Sequence, residues 1–192
     1  MKDNFLMLNG QQIDFTPEQI AKITAIMGEN KKKLSELEVG DTFKIGTHEL
    51  FVLNHGLGGT SVLYKGLLEP SMRFGGDNNF SDEECLVKKR LEDFAKELEG
   101  IVGTDNLITH TVDLTSDDGL DDYGKTTAKV SLLTCDLYRN FVKIIDKHKL
   151  NKWWWLATPY STPTHEDSEW IKCVSPRGRI DFSSCNYDFD RG

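Results

Sequence analysis

The feature that most constrains this chain lies near its C-terminal end, where residues 152–192 hold all four tryptophans in two short apolar runs separated by a polar loop. Trp153-Trp154-Trp155-Leu156 ends at Thr158-Pro159, and a run this short and this apolar suits a strand buried on both faces. After the polar loop Tyr160 to Asp167, the segment Glu169-Trp170-Ile171-Lys172-Cys173-Val174 resumes β-type residues. It stops at Ser175-Pro176-Arg177-Gly178, a turn by composition. Arg179-Ile180-Asp181-Phe182 then reads as the returning strand of a hairpin, followed by an irregular segment from Ser183 to Gly192. A chain that commits so many large rings to one hairpin has to build a core around it.

Length allows that core. At 192 residues the chain fits one sizeable domain, or one domain with a small appendage, and buries roughly 70% of its unfolded surface on folding. Cys85, Cys135, Cys173 and Cys185 lie far apart with no Cys-x-x-Cys pair and no histidine at zinc-ligand spacing, so free thiols in a reducing compartment are expected. A pairing of Cys173 with Cys185 across the terminal hairpin is the alternative. The opening Met1-Lys2-Asp3-Asn4 lacks a basic leader followed by a long apolar stretch, and no run approaches membrane-spanning length. The expectation is a soluble protein without a cleaved signal, in the cytoplasm of a host cell or on a virion, with no membrane partner. The formal net charge of −8 argues against direct nucleic-acid binding, which rests on clustered Lys and Arg. Lys31-Lys32-Lys33 and Lys88-Lys89-Arg90 are the basic clusters, and both read as solvated helix surface.

Taken in order, Phe5 to Leu8 and Gln11 to Phe15 flank Asn9-Gly10, a tight-hairpin signal. Thr16-Pro17-Glu18-Gln19 opens a helix with Ile20, Ile23, Ile26 and Met27 on one face. Residues 1–33 thus read as an N-terminal hairpin and helix, and 34–192 as the main α+β domain. Asp41 to Ile45, Glu49 to Leu53 and Thr60 to Tyr64 form an antiparallel meander. The glycines Gly56, Gly58 and Gly59 lack the Lys-Ser/Thr of a phosphate loop and read as a flexible turn. Ser81 with Glu84 makes a capping box for the longest helix, running to about Val102 with Leu86, Leu91, Phe94, Leu98 and Ile101 inward. Leu107 to Leu114 and Lys129 to Leu133 read as strands. Thr134 caps a second helix carrying Leu137, Phe141, Ile144 and Ile145 on one side.

Chemistry-bearing patterns are sparse. Ser116 to Asp122 is acidic, but an EF-hand with its glycine at Gly119 would put Leu114 at the first ligand position, so a solvated loop is expected and no metal. His165 beside Glu166 and Asp167 is the most suggestive base, yet no Gly-x-Ser-x-Gly or other nucleophile setting accompanies it. No enzyme activity and no cofactor are expected.

The order Trp-Trp-Leu-x-x-Pro at 154–159, a polar loop, Trp-Ile-x-x-Val at 170–174 with a glycine turn, and a closing aromatic and Asp segment ending Arg191-Gly192 resembles a family of uncharacterised domains. Its members occur in gut bacteria and their phages, and are similar to the C-type-lectin-like fold of phage receptor-binding proteins and formylglycine-generating enzymes. The resemblance covers roughly the last quarter of the chain. It implies an antiparallel C-type-lectin-like core with two or three helices, and a non-catalytic recognition module of phage or prophage type binding a protein or glycan. The implied contacts come from the loop Pro159 to Asp167 (Tyr160, Thr164, His165) and the segment Ser183 to Asp190 (Asn186, Tyr187, Asp188, Asp190), with the tryptophans as framework. The alternative makes Tyr187 and Phe189 core residues, with Asn186, Asp188 and Asp190 on the wet side of a strand. In the family a Gly-Val-Arg-Pro strand follows at the position of Gly192, so an open sheet edge and self-association, or a disordered tail after about Cys185, are expected. Two alternatives from other classes stand beside this reading. One is an acidic phage protein inhibiting a host defence nuclease by mimicking phosphate; the other is a metal oxidase using copper at Cys173 or Cys185, by analogy of fold.

Overall fold

The computed structural model describes residues 5–8, 11–14, 33–56, 58–69, 71–148 and 150–189. The chain divides into two units, Met1–Leu37 and Glu38–Gly192. In the first, β1 (Phe5–Leu8) and β2 (Gln11–Asp14) pair antiparallel with Leu8 opposite Gln11, leaving the two-residue connection that Asn9-Gly10 favours. The helix expected from Thr16 lies outside the described residues.

The second unit is α+β with antiparallel sheets. β3 (Thr42–Ile45), β4 (His48–Gly56) and β5 (Gly59–Tyr64) make a meander with β4 central. Leu50, Phe51, Val52 and Leu53 are all buried, as a strand covered on both faces requires. β6 (His110–Asp113) pairs with β7 (Lys125–Ala128). The strand expected over Lys129 to Leu133 is not formed: the ladder ends at Ala128, and the following segment runs beside the terminal sheet, where the Leu133 carbonyl accepts from the Ala157 N–H at 2.8 Å.

Two α-helices are present among the described residues. α1 (Leu86–Val102), with Cys85 at its N-cap position, starts four residues later than the Ser81 capping box suggests. Asn79 Oδ1 takes both the N–H and the hydroxyl of Ser81, and Asp82 Oδ1 takes the Glu84 N–H, so short-range side-chain turns capture the donors a helix start would use. Its buried face is Val87, Leu91, Phe94, Ala95 and Leu98; Leu86 and Ile101, expected inward, are exposed because the stripe is set one residue round from them. α2 (Cys135–Ile145) is capped by Thr134, whose hydroxyl accepts from the Leu137 N–H at 3.3 Å. Cys135, Tyr138 and Ile145 are its buried residues, whereas Leu137, expected inward, faces solvent.

The tryptophan hairpin forms the terminal sheet: β8 (Trp154–Pro159), β9 (Trp170–Val174) and β10 (Ile180–Ser184), in the order β10-β9-β8. Alternation sends successive side chains to opposite faces, and each face meets its own core. Trp155, Ala157, Ile171, Cys173 and Cys185 join Phe74, Phe80, Cys85, Val87, Leu91, Val112 and Leu114 on one side. Leu156 and Val174, with Trp154 and Ile180, pack on the other against Phe51, Leu53 and the Cys135, Tyr138 and Ile145 face of α2. Gly178 closes the hairpin at φ +76°, and a Cβ there would stand 3.0 Å from Asp146 Oδ1 and 3.3 Å from Tyr138 Oη, so glycine is required on both counts. Tyr138 Oη donates to the Gly178 carbonyl at 2.7 Å and ties the turn to α2.

All four cysteines are free and buried. In the terminal hairpin Cys173 stands opposite Asp181, not Cys185. Burial pushes the Cys85 thiol up to about 11 and the Cys173 thiol up to about 12, so neither supplies thiolate at neutral pH. In the folded protein at pH 8 a disulfide reagent such as dithiobis(nitrobenzoate) is expected to label none of the four within minutes, and all four at once in denaturant, a rate difference of at least about 100-fold. Rapid labelling of one thiol in the native state would show that its segment opens.

Candidate functional site

α2 is too short to cover its side of the terminal sheet. On that face lie Trp170, Lys172 and Val174 of β9, opposite Ser184, Phe182 and Ile180 of β10. Tyr138 and Ile145 pack over the Val174 end. Beyond the helix the face continues uncovered, with Tyr160 42%, Trp170 40% and Phe182 46% exposed. The Phe182 ring is 4.8 Å from that of Tyr160 and 5.7 Å from that of Trp170, the latter edge-on, so three rings from three successive segments make one aromatic surface. Isolated surface aromatics are ordinary. Three in contact at one end of a sheet form a continuous apolar patch.

Beneath the rings sits a buried cation. The Lys172 Nζ lies 5.4 Å from the Tyr160 ring centroid and 5.8 Å from that of Phe182, and donates to Asp117 Oδ2 at 2.9 Å. Arg139 of α2 donates to the other oxygen, Asp117 Oδ1, at 3.0 Å. Burial pushes the Asp117 carboxyl up, but the hydrogen bonds from Lys172 and Arg139 outweigh it and hold the group below its ordinary value. Arg139 also pairs with Asp136 at 3.0 Å, so the two cations beneath the aromatic surface are matched by two carboxylates.

A second layer fixes the loop that carries Tyr160. Asn78, fully buried, donates its amide to the carbonyls of Ser161 (3.1 Å) and Trp170 (2.9 Å), accepts from Tyr123 Oη (2.7 Å), and gives its backbone N–H to Ser168 (2.9 Å). The acidic loop clasps the same segment from outside. Asp118 accepts from the Ser116 and Ser161 hydroxyls and pairs with His165 Nδ1 at 3.0 Å; Asp122 accepts from the Thr164 N–H and hydroxyl at 2.9 and 3.0 Å. The Ser116 and then the Ser161 hydroxyl hold the Asp118 carboxyl far below the usual carboxylate range. Both hydroxyls are bonded to the carboxylate rather than to the imidazole, an order that does not activate a serine. Among the described residues no group of three or more His, Cys, Asp or Glu side chains is placed to hold a metal ion.

The seven residues expected as ligand contacts separate. Tyr160 lies on the aromatic surface. Thr164 and His165 are exposed but spend their polar groups on Asp122 and Asp118. Tyr187 belongs elsewhere: its ring packs on Phe189, which stacks at 5.6 Å on Trp153 and 4.3 Å from Trp155, on the opposite side of the sheet. Asn186 is exposed in the turn after β10, and Asp188 is half-buried. Asp190 lies outside the described residues. The expected tail disorder does not begin at Cys185, since Tyr187 donates to the Ser184 carbonyl and Phe189 is packed. Trp170, read from sequence as framework, is surface, because it lies on the α2 side of β9 beyond the end that Tyr138 and Ile145 cover. Phe182, Lys172, Asp117, Arg139 and Asn78 were not singled out by sequence; the period-two pattern Trp170-x-Lys172 opposite Phe182 is the signal that marks the first two.

Among the described residues no helix is long and apolar enough to cross a membrane. No protein-family model matches the chain, and neither a curated protein nor a solved structure matches it.

Proposed function

We propose that the chain is a non-catalytic recognition module, with a C-type-lectin-like core of phage or prophage type, that binds a protein or glycan ligand. The observation that carries this reading is the exposed trio in which Phe182 packs on both Tyr160 and Trp170, on a sheet tied down by Lys172, Asp117 and Asn78. Rigid amphipathic rings supply contact area at little cost in side-chain entropy, and rings at the centre of a surface carry most of the binding energy in known interfaces. The binding surface accordingly moves from the Ser183 to Asp190 segment to the Tyr160 end of the sheet.

The nuclease-inhibitor reading keeps the support of the net charge of −8. It is disfavoured because Asp117, Asp118 and Asp122 are turned onto Lys172, Arg139, Ser161, His165 and Thr164 instead of displaying phosphate-like charge. Copper chemistry at Cys173 or Cys185 gains no support from two buried thiols on a hairpin that does not pair them.

The test is a combined glycan-array and peptide-display screen with the wild type and a Tyr160→Ser, Phe182→Ser variant. Wild-type binding is expected to fall at least about 30-fold in the variant, as loss of one hot-spot ring of about 2 kcal/mol implies. The melting temperature is expected to stay within a few degrees. Equal binding by both proteins would remove the surface from consideration.

A further inference from the structure

The two edges of the terminal sheet are unlike. β8 is covered: the Ala157 N–H donates to the Leu133 carbonyl at 2.8 Å and the Pro159 carbonyl accepts from the Asp117 N–H at 3.0 Å. β10 pairs with β9 alone. The bonds Ser175 N–H to Arg179 carbonyl and Cys185 N–H to Glu169 carbonyl fix the phase of that ladder, so residues 179, 181, 183 and 185 face β9 while the backbone groups of Ile180, Phe182 and Ser184 face away. The Ser184 carbonyl is taken by the Tyr187 N–H, and the Phe182 N–H by Asp181 Oδ1 at 3.0 Å. That leaves, among the described residues, the N–H and carbonyl of Ile180, the carbonyl of Phe182 and the N–H of Ser184 without a protein partner, at the two-residue spacing of a strand edge. A shallow cavity of about 570 Å³ lined by Tyr138, Arg139, Val142 and residues 178–181 adjoins the start of this edge.

We propose that β10 accepts an extended segment of a partner protein as a fourth strand, its apolar side chains laid against Phe182 and the neighbouring Tyr160 and Trp170 rings. The proposal rests on the recognition reading and narrows its ligand from protein or glycan to extended polypeptide, the chemistry that matches alternating donors and acceptors at this spacing. Asp181 acts as a latch. Docking displaces its carboxylate from the Phe182 N–H, and Arg179 Nη2, already 3.8 Å away, receives it. A second copy of the chain carries the same charge of −8, so the complementary occupant is a neutral or basic segment.

The experiment uses the synthetic peptide acetyl-Lys-Val-Lys-Phe-Lys-Val-Lys-amide, its version N-methylated at the three apolar residues, and a version with Glu for Lys. The first is expected to bind and to slow hydrogen exchange of the Ile180 and Ser184 amides at least tenfold, while the N-methylated and Glu peptides bind at least tenfold more weakly. Ile180→Pro, which deletes an outward N–H and no ladder bond, is expected to weaken the first peptide similarly with the fold retained. No binding at millimolar peptide, binding indifferent to N-methylation, or protection elsewhere in the sheet would overturn the proposal. So would a dimer by light scattering that the peptide fails to dissociate, which would assign the edge to a second copy. Glycan binding that survives Ile180→Pro and is lost in Tyr160→Ser, Phe182→Ser would overturn strand addition while leaving recognition standing.

Discussion

Asn78→Leu is expected to lower the melting temperature by roughly 10 °C. The leucine leaves the Ser161 carbonyl and the Tyr123 hydroxyl without a partner and takes from the Trp170 carbonyl one of its two donors, the Tyr160 N–H at 3.0 Å remaining. A buried polar group deprived of its partner costs about 1–3 kcal/mol, and two such groups together with the weakened third cost about 4 kcal/mol. In a protein of this length each kcal/mol moves the midpoint by about 2–4 °C. Asn78→Asp provides the control: a carboxylate still accepts from Tyr123 but cannot donate to two carbonyls, so it is expected to be at least as damaging. Calorimetry of the three proteins decides the matter, and a shift under about 3 °C for leucine would mean that water replaces the carboxamide.

Asp117→Ala is expected to destabilise more than Lys172→Met, although both break the same 2.9 Å bond. The reason lies in what each leaves behind. Without Lys172, Asp117 keeps Arg139 and some access to water; without Asp117, the Lys172 ammonium, 9% exposed, keeps only two ring faces. Removing one member of a buried pair costs about 3–5 kcal/mol when the other is stranded, so Asp117→Ala should lower the midpoint by about 10 °C and Lys172→Met by about half as much. The double variant is expected to recover part of the loss. Because the folded-state Asp117 carboxyl is held below its ordinary value, its contribution is present above the unfolded value near pH 4 and is lost as pH falls through the lower folded one, so the gap between wild type and Asp117→Ala should close in acid. Equal costs for the two single variants would mean that the rings, not the carboxylate, hold the ammonium.

Local patterning made the terminal hairpin legible. The short aromatic runs, the proline and glycine punctuation and the Thr134 cap each act over a few residues, and β8, β9, β10 and the start of α2 follow from them. The Ser81 capping box misled because Asn79 and Asp82 compete for the same donors at closer range. The aromatic surface was half legible. Tyr160 was marked by its polar loop, whereas Trp170 and Phe182 look like core until the length of α2 relative to the sheet is known, and no local pattern encodes that. Asn78 reads as one more loop residue beside Gly75 and Gly76. Its role appears only when segments 45, 83 and 92 residues away converge on one carboxamide.

Those separations bear on how the protein is born. Asn78 leaves the ribosome well before Tyr123, Ser161 and Trp170, and at about 5–20 residues per second its last partner is synthesised roughly 5–20 s later. Over that interval the loop before α1 has no carbonyls from β9 to bind, and the Phe74 side of the first core has no tryptophan to meet. Nascent chains therefore pass through a period in which α1 exposes the apolar stripe Val87, Leu91, Phe94 and Leu98 without the hairpin that completes its core. That stripe is the apolar surface the nascent chain leaves open longest, and the aromatic surface forms only after it, once β10 has been made.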